Sequence, residues 1–307
     1  MTSDTAALPA PLRVSSIDVF VARVVPVVTI VVAIFVLWYG AAVWLNAPQV
    51  MDRLGGHDAA WTARELVAGT WSMDRPVLPA PHQIARDFYE SVFATRIDSK
   101  RSLVYHAGVT ISATALGFLL GTVLGIVLAV GIVHLRVLDR SLLPWVIASQ
   151  TVPILAIAPM VVVVLGNLGL EGLLPRAIIS MYLCFFPVTI GMVKGLRSPD
   201  PLQLDLMRTY NASPAQVFWK LRWPAATRFL FASLKVAIAV SLVGAIVGEL
   251  PTGAQAGLGA RLLSGSYYGQ TIQIWSALIM ASLVGVVLVF IVGLAERVVA
   301  KAQGAPA

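Results

Sequence analysis

Charged side chains and cysteine are scarce in this 307-residue sequence. Only 12% of its residues are charged, about half the share found in soluble domains, and 58% are hydrophobic. Its one cysteine, Cys184, has no partner for a disulfide within the chain, which excludes a disulfide-stapled scaffold. The net charge of +7 is not gathered into the basic stripe of a soluble domain, so we expect no nucleic-acid partner.

Motifs for nucleotide binding and hydrolysis are also missing. The sequence has no G-x-x-x-x-G-K-[ST] phosphate loop, no H-E-x-x-H zinc motif and no G-x-S-x-G nucleophile turn. Its four histidines stand at spacings that fit no metal motif, and we interpret them as ordinary surface residues. They are His57, His82, His106 and His134. We therefore predict no catalytic residue, no metal site and no cofactor bound by this chain.

Long apolar runs take the place of these motifs. Each approaches or exceeds the roughly 20 residues that cross a bilayer as a helix. The runs are continuous and do not alternate with polar residues, which favours helices over a barrel. The first is longer than a signal-peptide core and lacks a convincing cleavage site, so we expect it to be retained. The prediction is an all-α polytopic membrane bundle of six transmembrane helices, at about 24–45, 108–133, 142–165, 177–195, 231–250 and 273–295.

The polar segments between the runs differ in charge. Residues 46–105 hold seven basic and seven acidic side chains and an amphipathic helix pattern, whereas the 194–228 segment is basic. Because cytoplasmic loops carry the excess of Lys and Arg, we expect 194–228 and both termini in the cytoplasm. The predicted division is a cytoplasmic tail at 1–18, a transmembrane helix at 19–45, an external loop with an amphipathic helix at 46–105, a core at 106–300 and a cytoplasmic tail at 301–307.

Small residues recur every four positions inside the second apolar run. They are Gly117, Gly121, Gly125 and Ala129. Residues four apart lie on one face of a helix, and small residues there let two membrane helices approach closely. The spacing predicts tight packing of this face against a neighbouring helix.

Two polar features within the apolar core are candidates for a solute path. Gln150, Thr151 and Pro153 mark a kink in the third run, where polar side chains either line a pathway or only accompany the kink. Glu249 ends the fifth run, at a depth where a carboxylate is costly unless it faces water or a partner. It lies either at the external mouth of a path or at the interface, paired with Arg261 or solvent.

A polar, basic connector between the fourth and fifth runs carries an ordered set of residues. The spacing resembles the EAA loop of ABC-importer permeases, which reads EAA-xxx-G-x9-I-x-LP. Here Asp205 stands at the Glu position and Asn211 at the Gly position, and Trp223 replaces the Leu; every interval fits, although only the Pro is identical. The set predicted to contact an ATPase is Asp205, Leu206, Met207, Arg208, Asn211, Ala212, Ser213, Leu221 and Pro224.

Further motifs in the same order extend the resemblance over about 75–300. They include Leu-Pro-Ala-Pro at 78–81, the Pro-rich stretch at 153–159, Phe-Pro at 186–187 and Gly-Leu-Gly at 257–259. The chain looks like a permease subunit of a binding-protein-dependent ABC importer, in the branch for nitrate, sulfonate, taurine and related compounds. The resemblance implies the type I ABC-importer permease architecture and a location in the plasma (inner) membrane of a bacterium or archaeon.

The resemblance also implies the mechanism and the partners. Two permeases, either two copies or a copy and a paralogue, surround the solute path, and an external solute-binding protein delivers the solute. A dimer of cytoplasmic ABC ATPases carries the ATP and Mg, so this chain is a non-catalytic subunit. The helix around 201–210 docks on the ATPase, and Asn211 makes a left-handed turn, which Asn tolerates best after Gly. Leu206 and Met207 replace two alanines, which predicts a matched, adapted ATPase cleft.

Two other functions and several solutes stay open at this stage. A stand-alone secondary transporter or channel would show inverted repeats or intramembrane proton relays, and a membrane enzyme would show catalytic side chains inside the spans. Tyr267-Tyr268 and the 253–259 segment resemble those of permeases proposed for pyrimidine-like or flavin-like heterocycles, and this resemblance implies such a solute. A sulfonate, taurine or nitrate is the alternative. The segment at 46–77 is longer than usual for the branch, and its sequence assigns it no role.

Overall fold

Helices make up every regular element of this computed structural model in the part that it describes, residues 16–55, 61–251 and 256–303. Most of the two predicted tails, together with His57 and Gly253, lies outside the described residues. The chain divides into two compact units, residues 1–83 and 84–307. The helices are α1 Ser16–Arg53, α2 Ala63–Trp71, α3 Pro81–Tyr89, α4 Leu103–His134, α5 Arg136–Ala148, α6 Ile154–Asn167, α7 Leu173–Leu196, α8 Pro201–Thr209, α9 Pro214–Val217, α10 Trp223–Glu249, α11 Leu258–Tyr267 and α12 Thr271–Ala302.

In the first unit, a long helix carries a small folded lobe at one end. The apolar side chains of α1 from Val25 to Leu37 are exposed, while its last turns pack against α2. Gly69 of α2 lies so close to α1 that a Cβ there would stand 2.8 Å from Val50 Cγ1. A capping box starts α2: the Thr62 hydroxyl accepts from Glu65 N (3.3 Å), and the Glu65 carboxylate accepts from Thr62 N (2.8 Å).

A buried asparagine fixes the chain that follows α2. The side chain of Asn46 on α1 is fully buried, and its Oδ1 accepts from Val77 N at 2.7 Å and from Leu78 N at 3.3 Å. Its Nδ2 donates to Leu78 O at 2.9 Å. These bonds satisfy backbone groups that a turn would otherwise leave without a partner. Part of the segment that sequence treats as a loop is therefore folded onto α1.

Three helices, α4, α7 and α10, form the centre of the second unit. The glycines Gly117, Gly121 and Gly125 face α7, and a Cβ on Gly121 would lie 2.8 Å from the Cβ of Cys184. Ala129 continues the same row and is fully buried. The close packing predicted from the four-residue spacing is confirmed.

A buried layer of hydroxyl groups joins these three helices. Ser180 Oγ on α7 lies 2.6 Å from Ser241 Oγ on α10 and donates to the Ser241 carbonyl at 2.8 Å. Ser241 Oγ donates to the carbonyl of Thr114 on α4 at 3.1 Å. Each hydroxyl has a partner, as the low dielectric of a membrane interior requires. The layer ties all three helices at one level.

The third apolar run, predicted as one span at 142–165, is broken into two helices. α5 and α6 are separated by a short 3₁₀ turn at 149–151 and bent by 101°. Pro153 precedes α6 and disfavours helical geometry at Val152, which is extended with ψ 122°. The Tyr182 hydroxyl of α7 donates to the Ser149 carbonyl that the break releases.

The helix inventory matches the predicted fold class. Within the described residues, five helices are long and apolar enough to cross a membrane, and six spans result if the bent α5–α6 pair counts as one. The fold is an all-α polytopic membrane bundle, and no strand occurs in the described part. The predicted amphipathic helix is α3, which continues as a π-helical turn from Glu90 to Ala94.

Candidate functional site

The connector between α7 and α10 is built from two short helices with fixed ends. Asp200 caps α8 by accepting from Leu202 N at 2.7 Å, and Gln203 Oε1 accepts from Asp200 N at 3.3 Å. α9 repeats the arrangement, since Ser213 Oγ accepts from Gln216 N at 3.3 Å and a proline follows each cap residue. The sequence pattern Asp/Ser-Pro-x-Gln therefore sets both helix starts.

Between these helices the chain makes the left-handed turn predicted at Asn211, whose φ is +50°. The Asn211 N–H donates to the Arg208 carbonyl at 2.8 Å, and the Ala212 N–H donates to the Met207 carbonyl at 3.0 Å. This pair of bonds is a Schellman motif, which closes a helix at a residue in left-handed conformation. The turn reverses the connector without a glycine.

One face of α8 presents apolar side chains that stay largely exposed in the described part of the second unit. Leu202 is 77% exposed, Leu206 55% and Tyr210 77%, and their four-residue spacing places them in one row. Asp205 and Arg208 lie beside the row and form an exposed ion pair of 2.8 Å. Leu202 and Tyr210 are missing from the sequence-based set, although their helical spacing from Leu206 would have identified them.

Aromatic packing holds the second half of the connector against the ends of the membrane helices. The Phe218 ring lies 5.5 Å from that of His134 and 5.9 Å from that of Trp223. Arg222 donates to the Leu196 carbonyl at the end of α7, at 3.3 Å. The connector is therefore fixed to three helices rather than tethered loosely. Leu221 lies in the π-helical turn of this anchor, and Pro224 lies in the first turn of α10.

A second polar cluster surrounds Glu249 at the other end of α10. Glu249 is fully buried, its Oε1 accepts from the Thr110 hydroxyl at 2.8 Å, and its Oε2 accepts from Gly259 N at 2.6 Å. The Thr110 oxygen in turn accepts from Leu258 N at 2.8 Å. The carboxylate thus caps the N-terminus of α11, where backbone N–H groups lack helical partners. Glu249 has no solvent-accessible surface, so the predicted pairing of an interfacial Glu249 with solvent is wrong.

His106 completes this cluster and is buried, so its interpretation as a surface histidine is wrong. Its Nδ1 accepts from Gly257 N at 3.0 Å, which requires an unprotonated Nδ1. Its Nε2 then donates to the Lys100 carbonyl at 2.9 Å. The hydrogen bonds therefore assign a neutral ring with the proton on Nε2. Spacing along the chain gave no signal for this role, because Gly257 is 151 residues away.

Glycines make room for the buried carboxylate. Gly257 has φ +127°, a conformation that other residues rarely adopt, and a Cβ there would overlap the Glu249 carboxylate. A Cβ on Gly259 would approach Glu249 Oε2 to 2.9 Å. The Gly-Leu-Gly pattern at 257–259 is explained by this close approach.

The remaining predicted path residues lie at the break between α5 and α6. Gln150, Thr151 and Pro153 are exposed, and the Thr151 hydroxyl donates to the Ala148 carbonyl at 2.8 Å. They belong to a different site from the cluster around Glu249, which is formed by α4, α10 and the start of α11. The structure therefore divides the predicted path residues between two places.

Comparison with known proteins identifies similar chains. Residues 121–303 match the family described as binding-protein-dependent transport system inner membrane component. The chain is 30% identical over 226 residues to a probable ABC transporter permease protein of Haemophilus influenzae, covering 74% of this chain and 87% of the relative. It is 31% identical over 186 residues to the formylaminopyrimidine transport permease protein ThiX of Halalkalibacterium halodurans, covering 60% and 68%. It is 28% identical over 225 residues to the riboflavin transport system permease protein RibX of Chloroflexus aurantiacus, covering 73% and 80%.

Proposed function

Because this chain belongs to the family of inner-membrane components of binding-protein-dependent transport systems, we propose that its 201–224 connector receives the force of an ABC ATPase. The chain is a multi-pass membrane permease of an ABC importer for small solutes, a family that works with an ATPase and a solute-binding protein. In the proposed orientation, the connector and both termini face the cytoplasm. ATP and Mg bind to the partner ATPase, and this chain contributes no catalytic group.

The observation that carries this proposal is the exposed apolar row on α8. Leu202 and Leu206 lie on a short, capped helix outside the apolar spans, and Tyr210 directly follows that helix. An apolar row of this kind, with charged side chains beside it, suits a groove on another protein. The ion pair of Asp205 and Arg208 lies at the rim, where it is open to exchange with charged groups of the partner.

Rigid attachment lets such a contact act on the membrane helices. The aromatic packing of Phe218 and the bond from Arg222 to the α7 carbonyl join the connector to α4, α7 and α10. A push on α8 therefore moves the ends of the central helices and not only a loop. We propose that ATP-driven closure of the ATPase dimer tilts this unit against a second permease, which is either another copy or a paralogue.

For the solute we propose a small heterocycle of the pyrimidine or flavin type. Two of the similar permeases carry names for formylaminopyrimidine and riboflavin transport, at 31% and 28% identity. This agrees with the preference drawn from the 253–259 and Tyr267-Tyr268 segments. A sulfonate, taurine or nitrate remains the alternative. We assign Gln150 and Thr151 to the path because they are exposed at the break of a span, and we assign Glu249 to holding α11.

Co-purification with the cognate ATPase tests the docking surface. Leu206→Asp places a carboxylate in the apolar row and should abolish co-purification, whereas Asp205→Ala should weaken it. Leu170→Asp is a matched control, because Leu170 is an exposed leucine in the turn between α6 and α7. Retention of the ATPase by Leu206→Asp at the level of the control would contradict the assignment.

Transport in liposomes separates the importer from a stand-alone transporter. The permease, ATPase and binding protein are reconstituted together and supplied with ATP and labelled candidate solutes. Uptake that requires ATP and the binding protein supports the importer, and the stimulating compound identifies the solute class. Uptake driven by an ion gradient without the ATPase would overturn the proposal.

A further inference from the structure

An apolar groove with a basic end runs between α5 and α7, on the side of the membrane where the connector lies. Its volume is about 510 Å³, and its walls include Leu143 and Ile147 of α5 and Ile190 and Val193 of α7. Lys194 and Arg197 line one end. We call it the α5–α7 groove. The α5–α7 groove is separate from the exposed face of α8 and from the cluster around Glu249.

The basic end lies at the depth of lipid headgroups. α7 has 24 residues from Leu173 to Leu196, which corresponds to roughly 36 Å of helix. The hydrocarbon core of a bilayer is about 30 Å thick, so the last turn of α7 reaches the headgroup layer. Lys194 lies in that last turn and Arg197 directly follows it. Both cations therefore lie where phosphates of the adjoining leaflet are found.

The two cations are oriented toward the groove and are only partly neutralised. The Lys194 ammonium lies 5.9 Å from the centre of the Phe229 ring, which also lines the groove. Arg197 pairs with Asp139 at 2.9 Å, and about 44% of the Arg197 side chain stays accessible. Lys194 and Arg197 with the one carboxylate of Asp139 leave a net positive charge at the end of the apolar α5–α7 groove.

We propose that the α5–α7 groove binds an anionic phospholipid, with an acyl chain along its apolar walls and the phosphate at Lys194 and Arg197. Basic pockets between transmembrane helices on the cytoplasmic side are typical sites for anionic headgroups. A lipid brings its own negative charge to this end. A docked helix of another protein would bury both cations unless it supplied acidic residues at the same depth.

The consequence for the permease is a lipid contact at the root of the connector. Ser198 also lines the groove, and it directly precedes the segment that leads into α8. A bound lipid would contact the end of α7 through its phosphate and Leu143 and Ile147 of α5 through its acyl chain, in addition to the pair of Arg197 with Asp139. The lipid thus stabilises the end of α7, from which the connector begins.

Native mass spectrometry of the full chain in detergent tests the proposal, with phosphatidylglycerol and phosphatidylcholine as probes. Phosphatidylglycerol should bind more tightly, and Lys194→Gln should weaken it about fivefold, the effect of one cation near a headgroup. Lys301→Gln, at the end of α12, is the matched control and should change nothing. Leu143→Trp fills the groove without changing its charge and should also reduce phosphatidylglycerol binding.

Other results would overturn the proposal. Equal retention of both lipids, or equal effects of Lys194→Gln and Lys301→Gln, would show that the groove has no specific headgroup site. If Leu143→Trp dissociates a permease dimer and leaves phosphatidylglycerol binding unchanged, the groove is covered by a second permease. Should Lys194→Gln fail to fold, Lys194→Arg must retain phosphatidylglycerol while Leu143→Trp loses it.

Discussion

Replacement of Glu249 separates a role for its negative charge from a role for its hydrogen bonds. In Glu249→Ala, the Gly259 N–H loses its acceptor inside the membrane unit, whereas the Thr110 hydroxyl can turn to the His106 carbonyl, which lies 3.2 Å away. One unsatisfied buried polar group costs about 1–3 kcal/mol in stability. The cavity left by the side chain adds to this loss.

Glu249→Gln should be far milder because both contacts survive the change. The Gln oxygen can accept from Gly259 N, and its NH₂ can donate to Thr110 Oγ1 if that hydroxyl turns its proton to the His106 carbonyl. That carbonyl already lies 3.2 Å from Thr110 Oγ1. We therefore expect Glu249→Gln to lose no more than about 1 kcal/mol, the net worth of one ordinary hydrogen bond.

The assay is thermal unfolding in detergent, followed by the midpoint temperature, together with ATP-dependent uptake in liposomes. Glu249→Ala should unfold at a clearly lower temperature than Glu249→Gln, and uptake by Glu249→Gln should stay near that of the unmodified chain. Equal destabilisation by the two variants would refute the hydrogen-bond argument. If Glu249→Gln is stable but transports nothing, the negative charge of Glu249 is needed for transport and the residue belongs to the solute path.

A glycine pair offers an independent check of the same cluster. Gly257→Ala introduces a methyl group that overlaps the Glu249 carboxylate at φ +127°, whereas Gly269→Ala, at φ +64°, meets no atom within 4 Å. Both replacements also carry a backbone cost, which is larger at Gly257 because φ +127° with ψ 159° lies in a region essentially restricted to glycine. Only Gly257→Ala also displaces the carboxylate, so the difference between the two midpoints measures this steric contribution together with the extra backbone cost.

Three further predictions concern the rest of the chain. Asn211→Gly should leave ATPase co-purification unchanged, since glycine adopts φ +50° freely. Asn211→Val should reduce co-purification and lower the unfolding midpoint. Equal behaviour of the two variants would exclude a role for the turn. Gly121→Leu should force α4 away from α7 and prevent stable folding, measured as loss of the monodisperse peak in gel filtration. Gly108→Leu on the same helix is the control and should retain that peak, because a Cβ at Gly108 meets no atom within 4 Å. Asn46→Leu removes three hydrogen bonds and should speed limited proteolysis within 72–80, and an unchanged cleavage rate would show that these bonds do not hold the segment.

The sequence alone determined the features that depend on local pattern. Apolar runs of membrane length specify helical spans because the bilayer leaves backbone groups no other partner. The row from Gly117 to Ala129 indicated close packing, and the spacing around Asn211 indicated a left-handed turn between two short helices. These signals are legible because a helix places residues three or four apart on one face, and because few residue types tolerate positive φ.

Only the tertiary structure decided where the polar side chains meet. His106, Thr110, Glu249 and Gly257 come from two distant parts of the chain, and no periodicity links them. The sequence likewise predicts one kinked span where the structure has the break between α5 and α6, because a proline in a membrane helix is compatible with either a bend or a full interruption. Local pattern fixes which segments enter the membrane, whereas the partners of a buried charge depend on helix packing across more than a hundred residues.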